Sequence, residues 1–171
     1  MSSLEVAEQA AGELGPLLRA RGWRIATAES CTGGLIAAAC TAIAGSSDWF
    51  DRGFVTYSNA AKVELLDVSP ELLAAHGAVS EPVARAMALG ALQRAPVDAA
   101  VSVTGIAGPG GAVPGKPVGT VWLALALREP PGPAIPAVVS ERLQLSGTRQ
   151  QIRIQTTVAA LRRLRQMLQR G

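Results

Sequence analysis

The sequence has 171 residues, 49% of them apolar, and a formal net charge of +3, the size and composition of one ordinary domain that can bury a real core. It contains no run of about 18 apolar residues and no basic-then-apolar N-terminal segment with a cleavage site, which argues against a membrane span and against export and makes the cytoplasm the expected location. Its two cysteines, Cys31 and Cys40, give neither a disulfide framework nor a zinc spacing.

Leu4, Ala7, Ala11, Leu14 and Leu18 recur at steps of three and four, so residues 3–20 read as an amphipathic helix, with Pro16 expected to kink it or end its first part. Trp23 to Ala28 reads as a short strand, and Leu35, Ile36, Ala39, Cys40 and Ile43 form the apolar face of a second helix. Between them lie Glu29, Ser30, Cys31, Thr32, Gly33 and Gly34. Small residues let another molecule approach the backbone, and the first N–H groups of a helix lack intrahelical partners, so negative charge is welcome there. A hydroxyl at Ser30 and a thiol at Cys31 beside such donors is the arrangement acyl transfer needs. Taken alone, the same residues read more simply as a helix cap.

A polar turn from Gly45 to Asp51 leads to a strand from Gly53 to Tyr57. Asn59 is expected to cap a helix carrying Lys62, Val63, Leu65 and Leu66, which puts Lys62 on its first turn. Ser69-Pro70-Glu71 and Ser80-Glu81-Pro82 signal two further Ser-capped helices, the second running to Arg94. His76, before Gly77, sits where a helix ends. Val97 to Val103 is a near-continuous apolar run, a strand buried on both faces, ending at Thr104. Gly105 to Pro117 holds five glycines and three prolines, a loop of ordered backbone. Val118 to Leu127 and Ile135 to Leu145 then pair as a hairpin across the turn Pro130 to Pro133. Ser146 or Thr148 opens a last helix with Ile154, Val158, Leu161, Leu164 and Leu168 inward. Strands alternating with helices, finished by a hairpin and a helix, predict a three-layer α/β/α sandwich with a mixed, mostly parallel sheet, one domain over residues 1–171.

Charge is unevenly used. Seven arginines and no acid follow Glu141. Such an excess attracts nucleic acid or phosphate, or simply solvates a helix face. Of sixteen basic residues only Lys62 and Lys116 are lysines. Arginine stays protonated in proteins, whereas a desolvated lysine can become a neutral base, so these two are candidates for a task arginine cannot perform.

Gly110 and Gly115-Lys116 have the spacing of a phosphate-binding loop, but Pro117 replaces the magnesium-binding Ser or Thr and a strand follows instead of a helix, so that reading fails. What remains is a backbone that fits closely around a ligand, or a tight structural turn. In open α/β sheets ligands bind outside the carboxyl ends of strands. Ser30, Tyr57, Thr104 and the loop from Gly105 all lie at such ends, and if the strands are parallel neighbours they converge on one crevice with Lys62 within reach of Ser30.

T-A-E-S-C-T-G-G (Thr27 to Gly34), G-F-V-T-Y-S-N-A-A-K (Gly53 to Lys62), G-A-V-S-E (Gly77 to Glu81), T-G-I-A-G-P-G-G (Thr104 to Gly111) and K-P-V-G-T-V (Lys116 to Val121) together resemble the C-terminal domain of the CinA proteins, across residues 4–165. The resemblance implies an α/β/α fold and hydrolysis of the carboxamide of nicotinamide mononucleotide to nicotinate mononucleotide and ammonia. It also implies a Ser/Lys pair falling on Ser30 and Lys62, with Tyr57, Thr104 and Arg149 as further site residues, and a homodimer. Two positions depart from the family's pattern, Asp67 for Gly and Thr148 for Asp, the latter beside Arg149.

The mechanism expected is attack by Ser30 with neutral Lys62 as base and Arg149 as the cation that depresses it. N–H groups around Cys31, Thr32, Gly33 and Gly34 hold the oxyanion, and Tyr57 can return a proton. No metal or organic cofactor is called for. Gly105, Gly108 and the rest of the loop, with Arg149 or Lys116, are expected to meet the nucleotide, its phosphate included. Two alternatives stand beside this one. Cys31 could be the nucleophile with Glu29 and Lys62 as partners. The arginine-rich end could make the chain a nucleic-acid accessory protein, although none of its six aromatics lies among those arginines to form a stacking platform.

Overall fold

The structure, a computed structural model, describes residues 3–128 and 136–170. Helix α1 (Ser3–Arg21) leads into strand β1 (Ile25–Glu29), helix α2 (Leu35–Thr41), a 3-10 turn at Ser46–Asp48 and strand β2 (Phe50–Val55). Helices α3 (Asn59–Leu66), α4 (Pro70–His76) and α5 (Glu81–Arg94) precede β3 (Ala99–Gly105), the hairpin strands β4 (Thr120–Leu127) and β5 (Ala137–Gln144), and α6 (Arg149–Arg170). The expected turn Pro130 to Pro133, and Ile135 at the expected start of β5, lie outside the described residues.

The strands form one sheet in the order β2-β1-β3-β4-β5. β1 pairs in parallel with β2 and with β3, while β4 is antiparallel to β3 and to β5. β4 therefore runs against the other four strands, and the sheet is mixed, as predicted.

Alternation along the strands assigns the two faces. Ile25, Ala99, Val101, Val103, Leu123 and Leu125 pack with α1, α2 and α6, whereas Ala26, Ala28, Ala100, Ala124 and Ala126 pack with the α3–α5 side. The small side chains of this face let α5 lie close on the sheet, and Ser102 Oγ donates to Ala84 O at 2.6 Å. α5 crowds α3 in the same way: a Cβ on Gly90 would lie 2.1 Å from Leu66 O. The inner face expected for α6 is buried in full, and that of α1 is buried except Leu4, which is 40% exposed at the helix's first turn.

Several expected local features differ. Pro16 neither ends nor divides α1, which runs on to Arg21. β2 spans Phe50–Val55 and stops short of Tyr57. Ser58, not Asn59, caps α3 by accepting from Ala61 N. Ser69 caps α4 as expected, but Ser80 leaves α5 without a side-chain cap and donates its hydroxyl to Gly77 O. Thr148 opens α6 by exchanging bonds with Gln151: its N–H meets Gln151 Oε1, and Gln151 N–H meets its hydroxyl. Thr therefore does at 148 what an Asp cap would do, and Arg149 keeps its place in the first turn. Asp67 sits at the end of α3 with φ 55°, a conformation that favours glycine, and its carboxylate accepts from two guanidinium nitrogens of Arg94.

Candidate active site

β1 and β3 run side by side to the same end of the sheet, and the chain leads from β1 to β2 on one side and from β3 to β4 on the other. That is the position where open α/β sheets form a binding crevice. A cleft of about 300 Å³ opens there, lined by Ser30, Cys31, Tyr57, Lys62, Ala78, Val79, Thr104, residues 105–108, Gly110, Gly111 and Arg149.

Ser30 follows the last residue of β1 and extends the pairing by donating its N–H to Val103 O at 3.1 Å. Its side chain does not cap α2, and neither does Thr32. The N-cap position is Gly34, in the left-handed region at φ 100° and without a side-chain cap. Glu29 takes that task from the end of the strand. Its fully buried carboxylate accepts from the N–H groups of Gly34, Ile36 and Ala37 at 2.9–3.2 Å and from the Thr32 hydroxyl at 2.7 Å. A carboxylate satisfies several orphan donors at once and complements the positive end of the helix dipole. Ser30 is thereby released from the capping role a reader of the sequence would give it.

Lys62 projects from the first turn of α3 and is 1% exposed. Its Nζ reaches Thr56 O at 2.8 Å, Tyr57 O at 3.2 Å and Ser30 Oγ at 3.1 Å. Both carbonyls can only accept. A neutral amine therefore spends its two hydrogens on them, and its remaining direction, the lone pair, faces the Ser30 hydroxyl. Burial pulls the Lys62 ammonium down from its ordinary 10.5 to about 8. Arg149, expected to be the depressing cation, is engaged elsewhere: it donates to Gly108 O at 2.8 Å and to Tyr57 Oη at 2.9 Å. Tyr57 contributes its carbonyl to the lysine, while the residue as a whole is 62% exposed at the rim of the cleft.

The Cys31 thiol is buried, and burial pushes it up to about 11. That is the opposite of what an activated thiol nucleophile requires. Thr104 lines the cleft and donates its hydroxyl to Ala78 O at 2.9 Å.

Thr32, Gly33 and Gly34 stand behind the site. The N–H groups of Gly33 and Gly34 are spent on Ser30 O and the Glu29 carboxylate, which removes them as oxyanion donors. The N–H groups of Cys31 and Thr32 donate to no carbonyl or carboxylate among the described residues. Of these two residues, Cys31 borders the cleft.

The glycine-rich loop divides into two halves. Gly105, Ile106, Ala107, Gly108, Gly110 and Gly111 border the cleft, whereas Val113 and Lys116 close a tight turn by exchanging both backbone bonds. Lys116 donates to His76 O at the end of α4 and does not line the cleft, so the phosphate role considered for it is not supported. The scarce lysines thus separate into one in the site and one closing a helix end.

Much of the basic C-terminal excess is likewise engaged within the molecule. Arg142 donates to Gly115 O, Arg163 pairs with Glu141, and Arg165 pairs with Glu13. Arg153 donates from α6 to Cys31 O and Thr32 O at 3.0 and 2.9 Å. Among the described residues, no group of three or more His, Cys, Asp or Glu is placed to hold a metal, and no helix is long and apolar enough to cross a membrane.

Residues 7–168 match the CinA C-terminal domain family. The chain belongs to that family. It is 56% identical to a nicotinamide-nucleotide amidohydrolase PncC of Enterobacter agglomerans, covering 87% of each chain, and 52% identical to that of Escherichia coli K12, covering 91% of each. It is also 56% identical to a putative competence-damage inducible protein of Symbiobacterium thermophilum, where 91% of the chain matches 37% of the larger protein. Among solved structures, competence/damage inducible protein CihA of Agrobacterium tumefaciens superposes with a TM-score of 0.88 at 45% identity over 94% of each chain.

Proposed function

We propose that the chain hydrolyses the carboxamide of nicotinamide mononucleotide to nicotinate mononucleotide and ammonia, with Ser30 as nucleophile and Lys62 as general base. The observation that carries this reading is the Lys62 amine, buried between two carbonyls with its third direction on Ser30 Oγ. The substrate is taken from the relatives named nicotinamide-nucleotide amidohydrolases, which match most of the chain.

In the first step the Ser30 oxygen bonds to the carboxamide carbon while its proton passes to Lys62 Nζ. The Cys31 N–H is the donor we assign to the oxyanion, in the position directly after the nucleophile. Lys62 then gives its proton to the departing nitrogen as the C–N bond breaks, and ammonia leaves. Water attacks the Ser30 ester with Lys62 taking its proton, and that proton returns to Ser30 as the acid is released. Arg149, the Tyr57 ring and the backbone of Gly105 to Gly111 form the rim on which the ribose and phosphate rest.

Ammonia release from nicotinamide mononucleotide, compared with free nicotinamide, tests the reading. A kcat/KM larger for the nucleotide by about 10²-fold or more supports it. Equal values would remove the phosphate and ribose contacts, and no release from either would remove the activity.

A further inference from the structure

The Ser30 turn is held from both sides by residues that do not border the cleft. Glu29 takes the Gly34 N–H and the Thr32 hydroxyl. On the other side, the Arg153 guanidinium gives Nε–H to Cys31 O and an NH2 proton to Thr32 O. Peptide units are planar with C=O and N–H opposed, so fixing one end of each unit fixes the other. The unit whose carbonyl is Thr32 O ends in the Gly33 N–H, which donates to Ser30 O at 3.0 Å. The unit whose carbonyl is Ser30 O ends in the Cys31 N–H. The orientation of that N–H is therefore transmitted from Arg153 through two planar peptides.

We propose that Arg153 is a positioning residue of the hydrolytic site, acting through the Thr32 and Ser30 peptide units to aim the Cys31 N–H at the developing oxyanion. The proposal rests on the amidase reading for its reaction, but the geometry applies to any acyl or phosphoryl adduct of Ser30. Arginine holds its two donors on separate nitrogens in one rigid plane, whereas lysine would have to meet both carbonyls from a single nitrogen on a flexible stem, so the guanidinium suits this place better. Gly33 also leaves room for it: a Cβ there would lie 3.2 Å from the guanidinium nitrogen.

The test uses Arg153→Lys and Arg153→Ala, each confirmed as folded by its melting temperature, with two readouts. The first is the rate at which diisopropyl fluorophosphate phosphorylates Ser30, a reaction in which the Oγ–P bond forms, fluoride leaves and Lys62 takes the proton. The second is the split of kcat from KM with the nucleotide. Both variants are expected to label at least about tenfold slower and to lose kcat by at least that factor, with KM changed by no more than about twofold. Guanidinium chloride at millimolar concentration is expected to restore labelling of Arg153→Ala. Labelling at the wild-type rate in both variants, or a slowed Ala variant indifferent to guanidinium, would overturn the proposal, as would a wild type that is not labelled at all. A wild type that is labelled yet releases no ammonia would refute the amidase reading and leave Arg153's role to be decided by the labelling rates.

Discussion

The N–H of Thr56 donates to the carbonyl of Glu29 at 2.8 Å, carrying the parallel register of β1 and β2 one residue beyond the end of β2. Through this bond the two halves of the site become one object. Ser30 is the next residue after Glu29, and Thr56 O is the 2.8 Å acceptor for Lys62 Nζ. The distance from Lys62 to Ser30 is thus set by strand pairing, with no need for the side chains to find each other.

The depressed lysine fixes the direction of the pH dependence. Only the neutral amine can take the Ser30 proton, and Lys62 passes from ammonium to amine at about 8. kcat/KM is expected to rise with pH, approaching tenfold per unit below that value, and to level off above it. A profile measured by ammonia release that is flat between about pH 6 and 9 would contradict the assignment.

The same group leaves a signature in stability. A folded-state value of about 8 against an ordinary 10.5 means that the unfolded chain holds a proton the folded chain has released anywhere between the two. Stability contributed by this site therefore rises with pH across that interval, and below it the full cost of burying the ammonium is present. Relative to Lys62→Met, the wild type is expected to gain stability from about pH 8 to 10.5 in urea titrations. A difference independent of pH would contradict the burial argument.

Cys31→Ala is expected to keep turnover within a few-fold of wild type. With its thiol pushed up to about 11, Cys31 supplies almost no thiolate at neutral pH, and the group we assign to the reaction is its backbone N–H, which alanine retains. Loss of about 10²-fold or more in kcat would revive the thiol as nucleophile.

Much of the fold was legible because its signals are local and periodic. The near-continuous apolar run from Val97 to Val103 marks a central strand buried on both faces of the sheet, and the apolar steps of α6 mark its inner side. Ser30 and Lys62 were legible as a pair because both follow strand ends, and parallel strands bring such ends together. Glu29 was not legible as the cap of α2. Capping is read from the residue beside the helix, whereas this carboxylate reaches back from the strand across a turn of small residues to Ile36 and Ala37. Arg153 was hidden for a different reason. It lies on α6, far along the chain from Cys31, and among seven arginines nothing in the sequence distinguishes the one that meets two carbonyls from those that pair with surface acids. The exchange of Asn59 for Ser58 as the cap of α3 is a shift of one position, within what helix boundaries read from sequence allow.

The central claim is that Lys62 acts as a base and not merely as a buried cation. Lys62→Arg keeps the positive charge and hydrogen-bond donors but cannot lose its proton, so it separates the two roles. With folding verified by melting temperature, ammonia release from nicotinamide mononucleotide is expected to fall by about 10²-fold or more in this variant, and Ser30→Ala is expected to be at least as impaired. Activity of Lys62→Arg within a few-fold of wild type would contradict the account.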